Sequence, residues 1–213
     1  MALTCESEIS VFRIFEALPA EETQHMRRVG ILVDLFTRQL CEHGLLTEQS
    51  QECRFYGPAA SYHDIGKAWI PKRILTKPGR LTDVERAIIT EHPVFAQKLF
   101  DQIKAGFISG IPVRLIKPAT DSAVYHHEWW NGNGYPYGIK TTDIPLIARI
   151  TAICDAYDAM TSNRAYRKAH THDFACCELQ KNLGTQFDPQ LVPVFLGSDI
   201  NLSAVTIKVL SFL

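Results

Sequence analysis

His126-His127-Glu128-Trp129-Trp130-Asn131-Gly132-Asn133-Gly134-Tyr135-Pro136 is the stretch around which the chain is organised. An apolar pattern of helical character, Ile111 to Tyr125, leads into the two histidines. Asn-Gly, a second Asn-Gly and Tyr-Pro then mark tight turns. A histidine pair that closes a helix beside a rigid turn can present two imidazoles to one point. Read alone, the stretch is as readily a surface loop with exposed histidines. His63-Asp64 upstream and Asp155 downstream tip the balance toward a site.

The chain has 213 residues, 46% of them hydrophobic, which suits one globular domain with a real core. A net charge of -1 gives no global attraction to DNA, RNA or an anionic membrane, although a local Arg and Lys cluster can still hold a small anion. No apolar run is long enough to span a bilayer and nothing reads as a signal peptide, so the cytoplasm is expected. The six cysteines have no C-x-x-C pair and no repeated spacing, which favours reduced thiols over a zinc knuckle or a disulfide framework.

Working outward, Ile9 to Leu18 reads as a short helix. A long helix follows from Pro19-Ala20-Glu21-Glu22 to Gly44, its buried face carried by Met26, Val29, Val33, Phe36 and Leu40. Glu21 and His25 lie four apart on one face, with Arg28 nearby. Residues 47–65 are expected as a second helix opening at Thr47, with Pro58 either interrupting it or starting a fresh one. It leads into His63-Asp64-Ile65-Gly66-Lys67. Residues 71–81 form a basic loop, a solvated connection or the rim of an anion site. Thr82-Asp83-Val84-Glu85 has capping-box spacing, and Glu91-His92-Pro93 marks a break before helix resumes over 94–105. Thr142-Asp143-Ile144-Pro145 is expected to open an apolar helix with Asp143 as its cap. Asp155 and Asp158 fall inside that helix, and a carboxylate there needs a metal, a cation or donors. Arg164, Arg167 and Lys168 make a small basic cluster. Two short helices follow, from Thr171 and from Phe187-Asp188-Pro189.

Collected, the candidates are Glu21, His25, His63, Asp64, His92, His126, His127 and Asp155. Five imidazoles and three carboxylates without a thiolate suit iron, manganese or zinc in nitrogen and oxygen coordination. They exceed what one tetrahedral ion needs, so two or three divalent cations are expected, with Asp64 as the natural bridge. Such a pair, about 3.5–4 Å apart, can share a hydroxide and clamp a phosphoryl group. Lys67 is placed to neutralise a phosphate oxygen.

The order His25-x-x-Arg28, His63-Asp64-Ile65-Gly66-Lys67, His92-Pro93, His126-His127-Glu128, Gly134-Tyr135-Pro136, Arg149-Ile150 and Asp155-Ala156-Tyr157-Asp158-Ala159 resembles the HD-GYP domain, a subgroup of the HD superfamily of metal-dependent phosphohydrolases. The resemblance covers roughly residues 20–197. It implies an all-α HD-domain helical bundle with a GYP loop. Residues 1–20 would be a short extension, 21–197 the catalytic domain and 198–213 an apolar tail. It also implies a phosphodiesterase hydrolysing cyclic di-GMP to pGpG or on to GMP, some relatives acting on cyclic GMP-AMP. By position, His25, His63, Asp64, His92, His126, His127 and Asp155 match the family's metal ligands, and Glu21 matches the carboxylate that accompanies a third metal. Lys67, Tyr135, Arg164 and Arg167 match contacts to phosphates or a guanine; Tyr135 also suits base stacking, or plain turn packing.

Asn131 stands where Asp is usual in the family and Ala165 where Pro is common, so loop geometry rather than chemistry is expected to differ. Relatives usually carry a receiver, PAS or membrane sensor domain, for which residues 1–20 are too short. Regulation would then come from a signalling partner, or the chain is a stand-alone unit. A homodimer stays open. Two other readings compete: a non-catalytic cyclic-dinucleotide receptor, and an HD phosphohydrolase acting on another nucleotide.

Overall fold

The computed structural model describes residues 9–46, 51–163 and 168–197; α-helices, turns and three 3-10 segments account for them, with no β-strand among the described residues. Helix α1 (Val11–Ala17) starts where the Ser10 hydroxyl accepts from the Arg13 amide. It is tied to the body by the Val11 amide, which donates to the Ser109 carbonyl at 2.9 Å, and by buried Val11 and Leu18. Helix α2 (Ala20–Glu42) runs as its periodicity predicts, burying Met26, Val29, Val33, Phe36 and Leu40 on one face.

The next region departs from expectation. Thr47 and the tail from 198 onward lie outside the described residues. In place of one helix there is a 3-10 turn (Gln51–Phe55), a short α3 (Tyr56–Ala60) with Pro58 in its first turn, a turn over 61–64, and a second 3-10 turn (Ile65–Trp69). Pro58 has no N–H to lose in a first turn, so the chain restarts there instead of continuing. His63 and Asp64 therefore sit on a turn, not on a helix face. The basic loop contains one helical turn of its own, α4 (Lys72–Leu75).

Helix α5 (Asp83–Ile89) carries the expected capping box: Thr82 Oγ1 accepts from Glu85 N, and Glu85 Oε2 accepts from Thr82 N. Helix α6 (His92–Lys104) begins at His92 with Pro93 in its first turn, and α7 (Val113–Tyr125) ends at His126. Helix α8 (Leu146–Thr161) starts later than expected. Thr141–Asp143 is a separate 3-10 turn, and Pro145 takes the cap position because its ring holds the preceding Ile144 extended. Helices α9 (His172–Lys181), capped by Thr171, and α10 (Leu191–Gly197) complete the described fold.

Helix α2 packs on α3 and α8, α7 on α3, α6 and α8, and α9 on α8 and α10. Phe195 of α10 meets Phe36 and Tyr157 edge-on at 5.0 and 5.2 Å, joining α2 to α8 across the core. The 65–69 turn lies directly on α6. A Cβ on Gly66 would fall 2.0 Å from the His92 carbonyl oxygen and 2.8 Å from the Ala96 nitrogen. Backbone contact at Gly66 thus sets the distance between Asp64 and His92.

Gly66→Ala should cost about 3 kcal/mol or more, since backbone on both sides must move. For a chain of this size that is a fall of roughly 6–12 °C in Tm, measurable by thermal denaturation.

Candidate metal centre

The helix ends converge. His25 projects from α2, His63 and Asp64 from the turn after α3, His92 from the start of α6, His126 and His127 from the end of α7, and Asp155 from mid-α8. Their ligand atoms form three overlapping groups, each within 4.8 Å: Asp64 with His92, His126 and His127; His25 with His63 and Asp64; and His63 with His126 and Asp155. Asp64 faces two ways. Its Oδ1 lies 3.2 Å from His92 Nε2 and 3.8 Å from His126 Nε2. Its Oδ2 lies 3.3 Å from His63 Nε2 and 3.7 Å from His25 Nε2.

Three of the imidazoles are pinned through their far nitrogen. His63 Nδ1 bonds the Ala60 carbonyl at 2.9 Å, His92 Nδ1 the Ile89 carbonyl at 2.8 Å, and His126 Nδ1 the Ser122 carbonyl at 2.9 Å. A carbonyl can only accept, so Nδ1 carries the proton and Nε2 of a neutral ring is left with its lone pair. Each of these Nε2 atoms, and Asp64 Oδ1, is buried without a hydrogen-bond partner. Lone pairs facing a carboxylate at such distances repel unless a cation lies among them. The residues therefore fit divalent cations, held by neutral imidazole and carboxylate.

Charge states agree. Burial, with neighbouring imidazoles adding to it, depresses His127 to about 3 and holds His126 well below its ordinary value, so both are neutral ligands at pH 7. Burial alone would raise Asp64, but Lys67 and His63 hold its carboxyl well below the usual range. Asp155 is likewise held down against burial, chiefly by His25. Burial would lower His25, yet the Asp155 and Asp158 carboxylates outweigh it and raise the ring to about 9. His25 Nε2 lies 3.0 Å from Asp155 Oδ1, and metal binding at that nitrogen is coupled to its deprotonation.

Around this cluster stand residues whose roles the sequence does not announce. Asp158 is buried and accepts from His25 Nδ1 at 2.7 Å while Arg28 grips it with Nε at 2.7 Å and Nη2 at 2.9 Å. This orients His25 as a carboxylate orients a metal-bound histidine. The signal was present in Arg28 three residues after His25 and in a second Asp three after Asp155. Lys67 places its ammonium 2.7 Å from Asp64 Oδ2 and 2.8 Å from Glu22 Oε2, and those two carboxylates keep it charged against burial. Glu22, not Glu21, is the acid of the α2 start that turns to this cluster; Glu21 is exposed and belongs to none of the three groups.

The turn-rich loop is built on Glu128. Its Oε1 accepts from the Tyr137 and Gly138 amides at 2.7 and 3.2 Å. Gly134 passes so close to the chain before it that a Cβ would fall 2.3 Å from the Trp129 nitrogen. The loop also pairs with the 185–186 segment through the Trp130 and Asn131 amides. Arg149 braces both, bonding Asp188 at 2.6 Å and lying over the Trp130 ring. Tyr135 is stacked on His127, centroids 4.6 Å apart, so one ring face is already used inside the protein. Burial, with Asp64 and Asp155, pushes its phenol up, leaving it a protonated donor. Arg164 and Arg167 lie outside the described residues.

Asp158→Asn should weaken metal affinity about 10–100-fold without removing a ligand, because His25 loses its charged support. Metal titration of the variant against the wild type checks this.

The chain is 39% identical over 153 residues to a probable cyclic di-GMP phosphodiesterase of Vibrio cholerae, covering 72% of this chain and 34% of that protein. It is 33% identical over 181 residues to a 3'3'-cGAMP-specific phosphodiesterase 2 of the same organism, covering 85% and 32%. The chain thus spans about a third of the length of these curated relatives. Among solved structures, an HDG"Y"P protein from Bdellovibrio bacteriovorus has the same fold, with a TM-score of 0.58 at 17% identity over 81% of this chain and 51% of that one. The HD domain family matches residues 13–191, nearly the whole of the fold that builds the cluster, and the chain belongs to that family.

Proposed function

We propose that the chain is a metal-dependent phosphodiesterase that hydrolyses cyclic di-GMP to pGpG or GMP. The observation that carries this reading is the buried Asp64 carboxylate shared between two groups of imidazoles with unsatisfied Nε2 atoms. Relatives named as phosphodiesterases of cyclic dinucleotides support the substrate class. One of them is named for 3'3'-cGAMP, so cyclic GMP-AMP is the second substrate to test.

His25, His63, Asp64, His92, His126, His127 and Asp155 would hold two divalent cations, iron or manganese on the character of the donors. When bound, such ions supply an activated water and offset charge on phosphoryl oxygens. Glu21, one turn before His25 and exposed, would add a ligand for a third ion only by turning inward. Lys67 spends two donors on Asp64 and Glu22 and has a third to give to a phosphate oxygen beside the cluster. Tyr135 offers a protonated hydroxyl beside His127, and Arg164 and Arg167 are proposed as further phosphate or guanine contacts. The chemistry would lie in residues 21–197, with α1 as a docked extension. No described helix is long and apolar enough to cross a membrane. A reducing cytoplasm is proposed as its place of work.

Metal-loaded protein, prepared anaerobically, should convert cyclic di-GMP to linear product, followed by chromatography. Tight binding of intact substrate would instead mark a receptor. Asp64→Ala should abolish turnover and metal content together; full metal content in that variant contradicts the shared-carboxylate role. Metal analysis should find two ions per chain, and three falling to two in Glu21→Ala would make Glu21 a ligand. Chelation should lower Tm by roughly 5–15 °C, the linkage expected when a ligand present at about 100–1,000 times its Kd is withdrawn.

A further inference from the structure

His127 stands apart from the other imidazoles at the helix ends. His63, His92 and His126 are each pinned by a carbonyl, whereas among the described residues no hydrogen bond reaches a ring nitrogen of His127. Two of its neighbouring rings, His126 and His92, have centroids 4.0 and 5.0 Å away, but they belong to the same ligand group. The third neighbour is Tyr135, which lies outside that group. Its ring stacks on the imidazole with centroids 4.6 Å and planes 20° apart, and its amide donates to the His127 carbonyl at 3.1 Å. One residue therefore holds both the ring and the backbone of His127.

Tyr135 is held in turn by the return of its loop. Just beyond it, the Tyr137 and Gly138 amides donate to Glu128 Oε1 at 2.7 and 3.2 Å. Glu128 is only 3% exposed, so solvent is poorly placed to replace its carboxylate, and amides left unpaired there would be costly. On the near side of Tyr135 the loop has no slack: a Cβ on Gly134 would fall 2.5 Å from the His127 carbonyl oxygen. Support thus runs from Glu128 through the 137–138 amides to Tyr135, and from the Tyr135 ring to His127. Resting on the two-cation reading above, we propose that Glu128 is a positioning residue for one cation. It clamps Tyr135 on His127 and so completes the group of Asp64, His92, His126 and His127, without touching the group of His25, His63 and Asp64. The Tyr135 face stacked on His127 then serves the metal site, and its hydroxyl is left for a substrate.

The test titrates full-length protein with manganese(II) and no substrate, reading each affinity from bound metal and the pairing of ions by electron paramagnetic resonance. Wild type is compared with Glu128→Ala, Glu128→Gln, Tyr135→Ala and Tyr135→Phe. In both alanine variants one of the two ions should bind about 10–100-fold more weakly while the other keeps its affinity, as for a lost support behind a ligand. The spin-coupled signal of a pair should then give way to that of an isolated ion. Glu128→Gln, whose amide oxygen still accepts from the 137–138 amides, and Tyr135→Phe, which keeps the stacked ring, should both retain the pair. A Glu128→Ala protein that melts lower yet binds both ions as wild type does, or that weakens both alike, would overturn the positioning role. If Glu128→Ala does not fold, Tyr135→Ala decides: unchanged affinity for both ions there overturns it equally. A wild type that binds a single ion sinks the two-cation reading, and the positioning role with it.

Discussion

Asp64 is the constraint on which the rest depends. A buried carboxylate with imidazoles on both of its oxygens is tolerable only when every neighbour is oriented and the charge is balanced. Lys67 supplies one balancing charge, and the unsatisfied Nε2 atoms show where further positive charge belongs. The surrounding architecture can be read as the means of holding these groups a few ångströms apart despite that cost.

Helix ends do most of this work. The carbonyls that pin His63, His92 and His126 belong to residues three or four positions earlier in the chain, near the ends of α3, α5 and α7. A carbonyl oxygen has two lone pairs, and the Ala60 and Ser122 carbonyls also accept from the His63 and His126 amides. Each imidazole is thereby fixed in tautomer and direction by its own local backbone, and tertiary packing only has to bring the ends together. Gly66 sets one of those approaches and Glu128 closes the loop over another. His25 and His127 are held differently: His25 by Asp158, itself gripped by Arg28, and His127 by stacking on Tyr135.

The placement of charge also organises the surface near the cluster. Glu22 and Asp64 consume the charge of Lys67, and Glu85 that of Lys77. In a chain of net charge -1, recognition of an anion rests on such local arrangement, and not on the field of the whole molecule.

The all-α class, the long α2, the Thr82 capping box and the apolar face of α8 were legible in the sequence, because each is set by local periodicity or capping chemistry. The residue types and order of the cluster pointed equally well to metal chemistry. Local signals ran out where Pro58 and Pro145 displaced helix starts, since a proline permits either continuation or restart and packing chooses. They ran out again at the start of α2, where the pairing of Glu22 with Lys67 joins residues 45 apart in the chain. The pairing of Asp158 with His25, the double facing of Asp64 and the contact of Lys67 with Glu22 were decided by tertiary structure alone. Each joins segments far apart in the chain, and no local periodicity encodes the distance between them.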